Sequence, residues 1–192
     1  MGILKKYLTK LKNSNLYVPK DSEPVRPKEN KMERFTDTTR NVFGLAQVEA
    51  GRLEHEMIGP EHILVGLLQQ EGYAQQVLTQ AKIEVTLVMA QIELLTASVP
   101  KAKEFRSLTD ETKRALELAA DEAWRLYHPQ ITTHQLLIGI LREEKNLAVK
   151  CLQMLDTDTD QLLQESRQHT KAMIKKVGRV EYIQFENTLP AK

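Results

Sequence analysis

Cysteine is almost missing from this chain: Cys151 stands alone, so no internal disulfide can form and stability must come from burial, as in proteins of a reducing compartment. Aromatic residues make up only 5% and there are just eight glycines, against many Leu, Ala, Gln, Glu and Lys residues. Straight-chain residues lose little rotamer freedom in a helix, so the composition leans helical and away from an all-β fold. No stretch approaches the roughly 20 apolar residues of a membrane span, and the N-terminus has no apolar secretion-signal core, which makes a cytoplasmic protein the expectation. The net charge of +1 lacks the excess of Lys and Arg that phosphate neutralisation needs, so no nucleic-acid partner is expected. The phosphate loop GxxxxGK[ST], the GxSxG elbow and GxGxxG are all absent, and with them the usual handles for nucleotide or acyl chemistry. No enzyme and no cofactor are expected.

What is present is an ordinary globular composition, 41% apolar and 28% charged over 192 residues, enough for one domain plus appendages. The appendage comes first. In residues 1–13, MGILKKYLTKLKN, Leu4, Tyr7, Leu8 and Leu11 recur at helical spacing while Lys5, Lys6, Lys10 and Lys12 hold the other face. Such a basic amphipathic helix suits an anionic membrane surface, which would make the protein membrane-peripheral, or a docking site on another protein. Residues 14–31 carry Pro19, Pro24 and Pro27 among charges and read as a disordered linker. Residues 1–31 hold eight Lys or Arg against three Asp or Glu, a balance of +5, which leaves −4 on the rest. The near-neutral total hides a basic arm on an acidic body.

The body is duplicated. Residues Phe35 to Leu68 lie over Leu108 to Leu141 at a constant offset of 73, and 14 of the 34 positions are identical without a gap. Chance would give about two from ordinary residue usage. Within each copy the punctuation is helical. Thr36-Asp37 and Thr109-Asp110 place a capping hydroxyl and an acid at a helix start. A second helix opens at Gly59-Pro60-Glu61 with proline in the first turn, and at Thr132 with the capping-box spacing to Gln135. Short helices are expected over 74–80 and 148–155, and longer ones over 85–97 and 158–176. Two four-helix units of this size would pack through their apolar faces into one all-α, eight-helix pseudo-twofold bundle over residues 32–176. In the tail, 177–192, the VEYIQF run reads as a short strand, a docking peptide or a frayed terminus.

Two residues have a chemical case from position alone. Thr36 sets a hydroxyl beside the free amides of a helix start, suited to an anion, and Glu61 sets a carboxylate at another helix start, suited to a guanidinium. Plain helix capping would select the same residues. His55, Glu56, Glu61 and His62, partly echoed by His128 and His134, are the only cluster with metal-ligand chemistry. They lack the i, i+4 spacing of HExxH and Gly59-Pro60 interrupts them, so no metal is expected.

The segment Met32 to Leu68, MERFTDTTRNVFGLAQVEAGRLEHEMIGPEHILVGLL, together with its echo, resembles the double-repeat N-terminal domain of the Clp-family AAA+ unfoldases, most of all the ClpC type. The resemblance covers Met32 to about Lys176 and implies an eight-helix, non-catalytic domain that receives substrates and adaptors for a Clp ATPase. It further implies a phosphoarginine pocket at Arg34, Thr36 and Glu61, with threonine and amides on the phosphate and glutamate on the guanidinium. In the second half Thr109 is kept but His134 stands at the glutamate position, which implies a degenerate second pocket. The two ATPase modules of unfolding members are not in this sequence, so the resemblance is to stand-alone versions acting as accessory subunits, adaptors or decoys.

Overall fold

In the computed structural model, which describes residues 31–102 and 107–190, the helices start where the sequence places its caps. The first half holds α1 (Asp37–Arg52), α2 (Pro60–Gln69), α3 (Tyr73–Gln80) and α4 (Val85–Thr96), and the second holds α5 (Asp110–Arg125), α6 (Thr133–Arg142), α7 (Leu147–Met154) and α8 (Thr159–Val177). Thr36 and Thr109 have extended backbone, and the hydroxyl of each accepts from the amide three residues on, Thr39 or Thr112. The duplication extends to the helix ends. Glu54 and Tyr127 close α1 and α5 with positive φ, and Lys82 and Asp156 close α3 and α7 in the same way. The basic segment 1–13 and the linker up to residue 30 lie outside the described residues; Lys31 opens a 3-10 turn, Lys31–Arg34. No helix among the described residues is long and apolar enough to cross a membrane.

Helices α2 and α6 form the centre. Every residue from Pro60 to Leu68 and from Thr133 to Leu141 is buried, so neither helix has a solvent face. Ile63, Leu64 and Leu67 of α2 join Leu136, Leu137 and Ile140 of α6 in one apolar cluster with Val42, Ala115, Leu78, Ile92, Leu152 and the buried thiol of Cys151. The clamp of each first helix on its central helix depends on a glycine. A Cβ on Gly66 would come 2.6 Å from the Val42 carbonyl oxygen, and one on Gly139 would come 2.2 Å from that of Ala115. Only hydrogen fits there.

The halves are joined by crossed pairing. Strand β1 (Met57–Ile58), before α2, runs parallel to β2 (Ser107–Leu108), before α5 of the other half. Phe35, before α1, bridges Ile131, before α6, in the same sense. The Thr36 amide donates to the Ile131 carbonyl at 3.1 Å and the Thr109 amide to that of Ile58 at 3.0 Å, while the Thr39 and Thr112 hydroxyls donate to the same two carbonyls at 3.1 and 2.9 Å. Each first helix therefore starts against the central helix of the opposite half.

The tail departs from expectation. VEYIQF is neither strand nor frayed end: residues Arg179–Thr188 form a ninth helix among the described residues, α9, packed on α1 and α8. The alternation of β-branched and aromatic residues mimics a strand. What decides the outcome is that Tyr182 and Glu186, four apart and on one helical face, are both fully buried.

Candidate functional site

Burying the central helices also buries their starts, where up to four amides lack helical partners and must find other acceptors. Two pseudo-equivalent junctions result, and they differ in what fills them.

At the Thr36 junction the acceptor is a carboxylate from α9. Glu186 accepts from the Thr133 amide at 2.9 Å and hydroxyl at 2.6 Å, from the Tyr73 amide at 3.1 Å and from the Thr36 hydroxyl at 3.4 Å. These donors belong to the starts of three helices, α6, α3 and α1, whose positive dipole ends converge on one charge. Burial pushes the Glu186 carboxyl upward, and the hydrogen bonds from Thr133, Tyr73 and Thr36 oppose that shift. Neighbouring contacts fix the rest of α9: the Thr38 hydroxyl donates to the Glu186 carbonyl, and the Asp37 amide donates to Asn187 Oδ1 at 2.9 Å.

Beside the carboxylate lies a column of rings. Tyr182 stacks on Tyr73 with centroids 4.6 Å apart, and Tyr73 stacks on His134 at 5.3 Å. His134 is fully buried, with Nδ1 2.8 Å from the Tyr182 hydroxyl and Nε2 3.1 Å from His169 Nδ1. Burial, then His169 and His128, hold its pKa well below the ordinary value, so His134 is neutral. It is a packing and hydrogen-bonding group, unsuited to a permanent charge.

The Thr109 junction holds Glu61 instead. Position 60 is a proline, with no amide to offer where the other half has Thr133. The Glu61 carboxylate bends back over its own helix start, against Gly59, and accepts from its own amide. It has no lysine or arginine partner among the described residues, and burial, reinforced by Glu111, lifts its pKa to about 7. Thr109 is half-buried, so this junction is less enclosed than the other, where Thr36 is wholly buried.

The His55, Glu61 and His62 cluster brings one donor atom from each residue within 4.8 Å, yet its chemistry is that of a cap. His62 Nδ1 accepts from the Gly59 amide at 2.9 Å, which puts its proton on Nε2, facing His55 Nδ1 at 2.8 Å. The second half shows the same device without the ambiguity: Gln135 Oε1 accepts from the Thr132 amide at 2.8 Å while Gln135 Nε2 meets His128 Nδ1 at 2.9 Å. A metal-bound imidazole normally donates its other N–H to an acceptor, whereas here a backbone donor fills that position. The donor set does not suit a metal ion. Burial and His55 lower the His62 pKa to about 4, so its 3.3 Å approach to Glu61 is no ion pair.

Thr36 and Glu61 lie at different junctions. Thr36 stands with Thr133, His134 and Glu186, and Thr109 stands with the helix start that carries Glu61. Crossed pairing is the physical reason, since each first helix meets the other half's central helix. Arg34 is exposed, and its contribution to the Thr36 junction is a main-chain carbonyl that accepts from the Ile131 amide at 2.6 Å. The sequence marks Glu186 by one signal alone, its i, i+4 spacing from Tyr182.

Comparison with known proteins accounts for the repeat. The chain matches the Clp repeat (R) N-terminal domain twice, over residues 34–107 and 107–190, and the second match includes α9. It is 33% identical over 147 residues to the chaperone protein ClpB of Oceanobacillus iheyensis, covering 76% of this chain and 18% of that protein. It is 33% identical over 133 residues to the negative regulator of genetic competence ClpC/MecB of Bacillus subtilis, covering 69% and 16%. The chain thus spans under a fifth of the length of these relatives. Among solved structures, the N-terminal domain of ClpD from Arabidopsis thaliana superposes with a TM-score of 0.65 at 18% identity, covering 75% of this chain and 99% of that one. The Hsp104 N-terminal domain from Candida albicans gives 0.57 at 13%, covering 69% and 88%. The chain belongs to the Clp repeat N-terminal domain family, the substrate- and adaptor-binding module of Clp AAA+ chaperones.

Proposed function

We propose that this chain is a non-enzymatic accessory, adaptor or decoy protein of Clp-type proteolysis, and that it receives polypeptide ligands carrying a guanidinium, including arginine-phosphorylated ones, at the Thr109 junction. The observation that carries the site is Glu61: a buried carboxyl with no cationic partner among the described residues, beside a half-buried threonine cap. Its capping contact does not offset burial, since holding it ionised at a pKa of about 7 against an ordinary 4.5 costs roughly 3 kcal/mol. A guanidinium would supply the missing charge, and the amides and hydroxyl at the start of α5 would take an anionic substituent on it.

The test is calorimetry with an arginine-phosphorylated peptide, alongside pull-down of a purified Clp ATPase, on the wild type and Glu61→Gln. Wild-type affinity is expected to rise with pH as Glu61 ionises around 7, and Glu61→Gln to bind at least about tenfold more weakly above that value. Stability moves the opposite way. A carboxyl with a folded pKa above its unfolded one binds more protons when folded, so the Glu61 contribution to stability falls as pH rises from about 4.5 through 7, against the opposite contribution of the lowered His62 and His134. Glu61→Gln removes that contribution and is no less stable than wild type above pH 7. Equal peptide binding by both proteins, with no dependence on pH, would sink the site.

A further inference from the structure

The carboxylate at the Thr36 junction is supplied by the last helix of the chain, and that helix is attached differently from the others. Among the described side chains of α9, none belongs to the main apolar cluster. Its fully buried side chains are Tyr182 and Glu186, and both are held in a slot that other elements build. Tyr182 lies in the ring column on Tyr73, and Glu186 takes donors from α1, α3 and α6. A single residue, Gly178, with φ of +86°, separates α8 from α9. The slot thus has the parts of a ligand site: a flat aromatic wall, a seat for one carboxylate at three convergent helix starts, and polar contacts to the helix main chain through Thr38 and to a side-chain amide through the Asp37 amide.

We propose that this slot is a receptor for an acidic helical segment of a polypeptide partner, one carrying an aromatic residue four positions before a carboxylate, and that α9 is its built-in occupant. The partner's carboxylate takes the place of Glu186 and its ring the place of Tyr182, with α9 swinging out about Gly178. Because α9 occupies the slot in cis, apparent affinity for the partner is lowered by the fraction of molecules in which α9 is docked. No residue of the Glu61 site takes part, so the two sites succeed or fail separately.

The probe is a synthetic peptide of residues 178–190, tested by fluorescence anisotropy on the full chain. Glu186→Ala, in which the internal competitor lacks its carboxylate, is expected to bind this peptide at least about tenfold more tightly than wild type does. A peptide with Gln at the position of Glu186 is expected to lose that binding. Hydrogen exchange on the wild-type full chain provides a reading that needs no variant: amides of α9 are expected to exchange through an opening that leaves those of α2 and α6 protected. Equally weak peptide binding by a folded Glu186→Ala would overturn the proposal. So would exchange of α9 only in step with α2 and α6, which decides the matter if that variant does not fold.

Discussion

Gly139→Ala is expected to destabilise the domain by at least about 2–3 kcal/mol, and Gly139→Val to abolish folding, because the new carbon must enter space already held by backbone. The nearest atom to a Cβ there is the Ala115 carbonyl oxygen at 2.2 Å, followed by Ala119 Cβ and amide at 2.9 Å. None of these is the far end of a flexible side chain. Relief requires α5 and α6 to move apart along their whole contact, which loosens Leu136, Leu137 and Ile140 together. In a domain of this size each kcal/mol lowers the melting temperature by roughly 2–4 °C, so a fall of about 5–10 °C is expected on thermal unfolding followed by circular dichroism. Gly66→Ala should cost less, its nearest contact being 2.6 Å away. A Gly139→Ala protein as stable as wild type would show that the helices are not locked by this approach.

Tyr182→Ala is expected to undock α9. The side chain is fully buried, stacked on Tyr73 and hydrogen-bonded within reach of His134 and Thr132, and truncating such an aromatic costs about 3–5 kcal/mol. That cost falls on the contact of α9 with the rest, so amide exchange over residues 183–188 should rise by about two to three orders of magnitude. Exchange in α2 should change little. Tyr182→Phe keeps the stack and loses only the hydroxyl, worth about 1 kcal/mol, and serves as the control. Unchanged exchange in Tyr182→Ala would mean that α9 is held by something other than the ring column.

The helices were legible because each is announced locally. Thr36, Thr109, the Gly59-Pro60 start and the Thr132 capping box are short-range signals, and each marks a helix start. The repeat then supplied the topology, since two copies of one pattern have to bury two copies of one face. The candidate site was half legible. Thr36 and Glu61 are distinguished by position, but which cap faces which depends on Phe35 bridging Ile131 instead of a neighbour in its own half, a pairing across about 95 residues with no local signature. The role of Glu186 was hidden for a related reason. A glutamate in a polar tail reads as solvated, and only the convergence of α1, α3 and α6 turns it into a buried ligand.

Crossed pairing also bears on how the chain reaches this structure. Contacts between α1 and α2, or between α5 and α6, join residues close in sequence and can form on the timescale of helical hairpins. The bonds that complete the starts of α1 and α5 close much longer loops, from Ile131 back to Thr36 and from Thr112 back to Ile58, and their entropic cost comes before their benefit. Two quickly formed hairpins must therefore wait for each other, with buried helix starts still unsatisfied until they meet. The two halves are therefore expected to fold as one unit, with their mutual capping as the slow step.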